Sequence, residues 1–137
     1  MISCTFSTLA APYSIVQLAP QPLPSWATHA GPFVSITLSA DELSIVCVSQ
    51  VVPDGVVVDH GWRCIKLQGP FAFDQVGILA SMANPLAARG IGIFAVSTFD
   101  TDYILTKEAH LQSAINALRD AGHDYVGQQD ESVRIAR

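Results

Sequence analysis

The segment at residues 97–102, Ser-Thr-Phe-Asp-Thr-Asp, has residue types that could hold a charged ligand. The carboxylates of Asp100 and Asp102 flank a threonine, and short polar runs of this kind between apolar stretches form turns. Two carboxylates on a tight turn present acceptors to an ammonium or guanidinium group. Such aspartates equally serve the turn itself by bonding their own backbone, so the sequence leaves both roles open.

A second candidate site is the segment 69–77, which leads from a predicted strand into a predicted helix. Asp74 stands where a first-turn carboxylate would oppose the helix dipole. The start of a helix also offers unpaired N–H groups that can hold a ligand carboxylate. Gly77 would let a ligand approach the backbone closely, although it could equally permit close packing of the helix on the sheet.

No arrangement of residues in the sequence matches a known catalytic motif. The H-E-x-x-H, G-x-S-x-G and G-x-x-x-x-G-K-[ST] patterns are absent. A histidine that occurs singly is more often a surface or structural residue than a ligand or an acid–base group. All the histidines occur singly: His29, His60, His110 and His123. We therefore expect no catalytic residue, no metal site and no cofactor, and a protein that is not an enzyme.

The cysteines Cys4, Cys47 and Cys64 are odd in number and far apart, with no C-x-x-C spacing. This pattern is typical of reduced, buried thiols in a cytoplasmic protein. The uncharged start of the chain lacks the basic residues of an export signal, and prolines interrupt its apolar runs. We therefore expect a cytoplasmic location.

From Trp62 onward the periodicity predicts a regular order of elements. Alternating polar and apolar residues predict a strand over 63–68. Helical spacing of apolar residues predicts a helix over 74–89, which Pro85 kinks or divides. Continuous apolar character predicts a strand over 91–97 that is covered on both faces. A strand over 103–106, a helix capped by Thr106 and a strand over 123–126 follow. This β-α-β-β-α-β order predicts an α+β, ferredoxin-like module with two helices on one face of an antiparallel sheet.

The two candidate segments follow different elements of this predicted module. In the β-α-β-β-α-β order, the end of the first strand and the bend of the hairpin need not be adjacent within one module. They can instead meet across an interface between modules.

The first half of the chain shows strand patterns over 13–18, 33–38 and 43–48 and no helical periodicity. Residues 51–59, which include a Pro-Asp-Gly turn signal, are predicted to connect the two halves. The first half is therefore either a degenerate copy of the same module or an extension of its sheet.

The chain of 137 residues is poor in charge, because 14% of its residues are charged against roughly 25% in ordinary domains. No Lys or Arg precedes Arg63, and the formal net charge is -5. So few cations cannot form a basic face for nucleic acid or an anionic membrane, and no apolar run is long enough to span a bilayer. The apolar excess indicates surface covered by a partner, and a homodimer is the first candidate.

Several runs of residues carry a family resemblance, namely 42–46, 67–71, 77–80, 85–87 and above all 93–105, Ile-Phe-Ala-Val-Ser-Thr-Phe-Asp-Thr-Asp-Tyr-Ile-Leu. They resemble the bacterial ACT-domain proteins related to the animal cytosolic arginine sensor family, over about residues 40–122. The resemblance implies tandem ferredoxin-like modules, assembly as dimers, and regulatory binding of small ligands such as amino acids at module interfaces. We accordingly divide the chain into a degenerate ACT-like module at 1–56, an ACT domain at 57–127 and a polar tail at 128–137.

The resemblance also implies which residues hold the ligand. They belong to the start of the helix, to the hairpin bend and to a strand of the neighbouring module: Gly77 and Ile78, then Thr98, Phe99 and Asp102, then Ser44 and Ile45.

Together these observations predict a non-catalytic, homodimeric regulatory protein whose ligand is an amino acid or a similar zwitterion. The start of the helix would hold the carboxylate, and Asp102, helped by Asp100 or Asp74, would hold the cationic group. The alternative is a structural or interaction module that dimerises or binds an enzyme partner without a ligand.

Overall fold

The computed structural model describes residues 2–28, 31–71 and 75–129. Within these residues the chain forms eight strands and two α-helices, in the order β1 Thr5–Leu9, β2 Tyr13–Leu18, β3 Ser35–Leu38, β4 Leu43–Val48, β5 Val57–Leu67, α1 Ile78–Ala88, β6 Ile93–Ser97, β7 Asp102–Lys107, α2 Leu111–Asp120 and β8 Asp124–Gln129. Short 3-10 turns lie at Ser25–Ala27, Ser49–Val51 and Glu108–His110. Neither of these two helices is long and apolar enough to cross a membrane.

Contacts divide the chain into two compact units. The first unit contains the chain up to Ala10 together with Arg63–Gln129, and the second contains Ala11–Trp62. The division differs from the predicted modules at 1–56 and 57–127, because β1 pairs with strands near the other end of the chain. Phe6 stands opposite Leu67 of β5 and beside Tyr125 of β8. Residues 128–129 belong to β8, while the remainder of the predicted tail lies outside the described residues.

The first unit follows the predicted order of strands and helices and is ferredoxin-like. Its strands are arranged β6-β7-β5-β1-β8. The pairing of β1 with β8 is parallel, which departs from the predicted antiparallel sheet, while β1 with β5 and β6 with β7 are antiparallel. Both helices bury apolar residues against the sheet, and the core includes Phe6, Ile65, Leu67, Met82, Leu86, Ile104, Ala114 and Leu118.

The second unit is built from β3, β4, β2 and the first half of β5, in that order. The strands β2 and β4 have the bounds that the sequence predicts, and all three neighbouring pairs are antiparallel. Residues 57–59, predicted as a connector, pair with β2 instead. Among the described residues of this unit, the only helical segments are 3-10 turns.

Three predicted details around the hairpin and helices are wrong. The helix α1 begins at Ile78 rather than at residue 74, and Thr106 lies inside β7 rather than at a helix cap. Strand β6 is not covered on both faces, since Ala95 and Ser97 are exposed. Among the described residues β6 pairs with β7 alone, so it lies at the edge of the sheet, where less of its surface is buried.

Pro85 lies within α1 without dividing it, and a buried histidine bonds the carbonyl that the proline leaves without its helical donor. Proline has no N–H to donate to the carbonyl of Ser81, four residues earlier. The Nε2 atom of His123 donates to that carbonyl at 2.9 Å, and its Nδ1 atom accepts from the backbone N–H of Cys4 at 3.0 Å. His123 is 4% exposed, so these two buried bonds join the residues just before β1 and β8 to α1.

Candidate ligand-binding site

A cavity of about 320 Å³ in the first unit brings together the two segments that the sequence singles out. It lies between the start of α1 and the bend that joins β6 to β7. Its lining contains the predicted residues Gly77, Ile78, Thr98, Phe99, Asp100 and Asp102, together with Phe71, Gln75, Leu79, Ala80, Ser97 and Thr101. The two segments therefore meet within one unit, and no interface between modules is needed to bring them together.

The start of α1 forms one wall of the cavity. Gly77 has a φ of 84°, a conformation that favours glycine, and its carbonyl accepts the first helical hydrogen bond, from Ser81, at 2.9 Å. The next residues are Ile78 to Ala80. Their backbone N–H groups have no carbonyl four residues earlier within the helix to accept from them. These groups and the helix dipole give this wall a positive potential suited to an anion.

Residue 77 requires glycine mainly because of its positive φ, and less because of the space around it. A Cβ atom there would lie 3.1 Å from the Cδ1 atom of Ile2, which is a tight contact with the end of a flexible side chain. Since Gly77 is exposed, close packing of the helix on the sheet is the weaker of its two predicted roles.

The bend between β6 and β7 forms the opposite wall, and threonines hold its shape. The Thr98 N–H donates to the carbonyl of Thr101 at 2.8 Å, and the Thr98 hydroxyl accepts from the Thr101 N–H at 3.3 Å. The Asp102 carboxylate accepts from the hydroxyl of Ser97 at 2.5 Å, and that of Asp100 has no hydrogen bond to another described residue. The Asp102 side chain is therefore bonded across the turn to Ser97, while the Asp100 side chain takes no part in holding the turn. Both carboxylates still place negative charge at the bend.

The negative charge of Asp102 acts on the buried thiol of Cys4. Burial raises the pKa of the Cys4 thiol, and the negative charge of Asp102 adds to that increase. Burial also raises the pKa of Cys47, to about 11. The cysteines Cys4, Cys47 and Cys64 are buried, as predicted, and none of them is in a disulfide. Because the helix start lies on one side of the cavity and the two aspartates on the other, the cavity has a positive wall at α1 and a negative wall at the bend.

The remaining predicted site residues lie elsewhere. Ile45 is fully buried in the core of the second unit, and Ser44, on the same strand, is partly buried opposite Gln17 and Thr37. Asp74 lies outside the described residues. Phe71, Leu79 and Ser97 also line the cavity, although none of them was predicted as a ligand contact. Phe71 and Ser97 lie within the two candidate segments, and Leu79 follows the predicted residue Ile78.

Comparison with known proteins identifies related families. Residues 57–120 match the family model of the ACT domain, and residues 11–55 match a second model, described as an N-terminal domain. The human cytosolic arginine sensor for mTORC1 subunit 1 is 41% identical over 59 residues, which cover 42% of this chain and 18% of the sensor. The chain spans less than a third of the length of the curated relatives it matches.

Solved structures match more of the chain. Protein Atu0741 from Agrobacterium tumefaciens is 43% identical with a TM-score of 0.89, covering 96% of this chain and 98% of that one. The regulatory subunit of aspartate kinase from Thermus thermophilus is 10% identical with a TM-score of 0.57, covering 81% of this chain and 93% of that one. At that identity, the second match shows a shared fold alone.

Proposed function

Because the chain belongs to the ACT domain family, we propose that it is a non-catalytic regulatory protein that binds an amino acid in the cavity between α1 and the β6–β7 bend. One observation carries the proposal: the cavity has a helix N-terminus on one side and the carboxylates of Asp100 and Asp102 on the other. This polarity is complementary to a zwitterion.

Each end of an amino acid has a partner in this arrangement. The N–H groups at the start of α1 hold the α-carboxylate, and Asp102 holds a cationic group, with Asp100 beside it. The aromatic and aliphatic side chains of Phe71, Ile78 and Leu79 surround the apolar part of the ligand. Arginine is the first candidate, because a guanidinium group bonds a carboxylate through two parallel hydrogen bonds and because the curated relatives are named as arginine sensors.

A thermal-shift panel of the twenty amino acids tests the proposed ligand class. At ten times its Kd, a ligand stabilises the folded state by about 1.4 kcal/mol, which for a chain of this length raises Tm by roughly 5 °C. We expect arginine to give a shift of this size, and arginine amide, which lacks the carboxylate, to give a much smaller one. No shift with any amino acid at millimolar concentration would contradict the proposal.

We further propose that the protein is a cytoplasmic homodimer whose second copy covers the rim of the cavity. Phe99 on the bend is 77% exposed, and Val76 beside Gly77 is 86% exposed, so large apolar side chains flank the cavity from both walls. Apolar residues clustered in this way are typical of surfaces that bind another protein.

Sedimentation equilibrium tests the dimer, with an expected mass of twice 14.6 kDa. Val76→Asp should shift the protein toward the monomer, because it places a charge in the proposed contact. Val57→Asp is the matched control, since Val57 is 69% exposed and belongs to the second unit. A wild-type monomer at micromolar concentration, or equal effects of the two variants, would count against this contact.

A second candidate function is an interaction module that binds a partner without a ligand. It is favoured by β3, an uncharged strand that pairs only with β4 among the described residues and exposes Ile36 and Leu38 by 46% and 60%. Exposed apolar edges of this kind can add a strand from another protein. Under this alternative, substitutions in the cavity would change stability alone.

A further inference from the structure

Two hydrogen bonds hold the end of β5 and the segment after it to the β6–β7 bend. The hydroxyl of Thr101 donates to the carbonyl of Leu67, the last residue of β5, at 2.8 Å. The N–H of Phe71 donates to the carbonyl of Asp100, also at 2.8 Å. Both bonds join the segment that leads into α1 to the bend that carries the two aspartates.

The fastened region is tightly packed. Thr101 is 8% exposed, and a Cβ atom on Gly69 would lie only 2.5 Å from the carbonyl oxygen of Asp100. Such a contact is too short for any side chain, so Gly69 lets the two backbones approach each other. Besides the pairing of β7 with β5, the bend is therefore held against β5 by the Thr101 hydroxyl and the Phe71 amide, and Gly69 permits their close approach.

These two hydrogen bonds act on the bend, which is the negative wall of the cavity. Thr101 stands between Asp100 and Asp102, and its own N–H is bound to the hydroxyl of Thr98. A movement of Thr101 away from Leu67 would carry both aspartates with it and change their separation from the start of α1. A site whose groups are held in place before binding loses less entropy when the ligand binds.

We propose that Thr101 is a positioning residue of the ligand site, a role that rests on the proposed function. Its hydroxyl makes no contact with the ligand, and its bond to Leu67 holds the acidic bend at the spacing that an amino acid needs. Loss of this one bond raises the Kd by roughly threefold to tenfold.

The test uses a matched pair of threonines. Thr106 lies on β7, the strand that follows the bend, and is fully buried, but its hydroxyl has no hydrogen-bond partner among the described residues. Isothermal titration with arginine should give a raised Kd for Thr101→Val and an unchanged Kd for Thr106→Val. Thr101→Ser keeps the hydroxyl and should bind like the wild type. Equal Kd values for Thr101→Val and the wild type would overturn the proposal.

A second readout does not depend on a ligand. Hydrogen exchange of the Phe71 amide should be at least about tenfold faster in Thr101→Val than in Thr106→Val, because its acceptor on Asp100 becomes mobile. If wild-type protein binds no amino acid, the proposed function fails. The hydrogen-exchange rate of the Phe71 amide still shows whether Thr101 holds the bend in place. Unchanged exchange, or faster exchange with an unchanged Kd, would overturn the positioning role.

Gly69→Ala is a second variant for the case in which Thr101→Val does not fold. Its methyl group would displace the bend without removing a side-chain hydrogen bond. The same increase in Kd is expected, and wild-type affinity in a folded Gly69→Ala protein would overturn the proposal.

Discussion

Replacing Asp102 with asparagine is expected to weaken the binding of arginine by about tenfold to a hundredfold, which corresponds to the roughly 1.5–3 kcal/mol of a hydrogen bond to a charged group. Asparagine has nearly the same volume, and its carbonyl can still accept from the hydroxyl of Ser97. The change therefore removes the negative charge and leaves the bend in place. Isothermal titration measures the Kd, and urea denaturation checks that stability is retained.

Asp120→Asn is the matched control for this prediction. It makes the same change in net charge, but Asp120 lies at the exposed end of α2, where it pairs with Arg89. We expect no change in Kd, because exposed pairs contribute little and surface charges are screened at physiological salt. Equal losses of affinity in the two variants would mean that overall charge, and not a local contact of Asp102, controls binding. Binding by Asp102→Asn within a factor of about two would remove Asp102 from the site.

The two segments that line the cavity could be recognised from the sequence because each has a clear local signal. A glycine before an apolar helix and a polar bend between two apolar strands can each be recognised without the structure. Their meeting within one unit was not predicted. It follows from the pairing of β7 with β5, which brings the start of β7 beside the end of β5, as the bond from Thr101 to Leu67 shows.

The elements that the sequence missed are those whose pairing is long-range. Strand β1 is five residues long, and its neighbours are β5 and β8, from about the middle and the end of the described chain. Residues 57–62 contain Asp59, His60 and Gly61, which are typical of loops, yet they form a strand because β2 pairs with them. Strand preference depends strongly on such tertiary context, which a local pattern does not contain.

Pro85 removes a hydrogen bond from α1, as the sequence indicates, but it does not divide the helix. A proline inside a helix removes one hydrogen bond, and this predicts a kink or a break. His123, which lies beyond the helix in sequence, bonds the freed carbonyl of Ser81. Buried backbone groups almost always find a partner, but the sequence does not reveal which distant side chain supplies it.

His123→Ala is accordingly expected to lower the free energy of unfolding by about 3 kcal/mol, because it leaves two buried backbone groups without a partner. These groups are the carbonyl of Ser81 and the N–H of Cys4. Urea denaturation followed by circular dichroism measures the loss. His110→Ala is the control, since His110 is exposed, and its effect should stay within about 0.5 kcal/mol.

A double-mutant cycle with Pro85→Ala tests why His123 matters. His123→Asn keeps an acceptor where Nδ1 meets Cys4 and loses the donor to Ser81, so alone it should cost about 1–2 kcal/mol. Alanine at position 85 restores the helical N–H that can bond the carbonyl of Ser81. In that background His123→Asn should therefore cost much less, giving a coupling energy of about 1 kcal/mol. Additive effects of the two substitutions would show that His123 does not replace the missing helical bond.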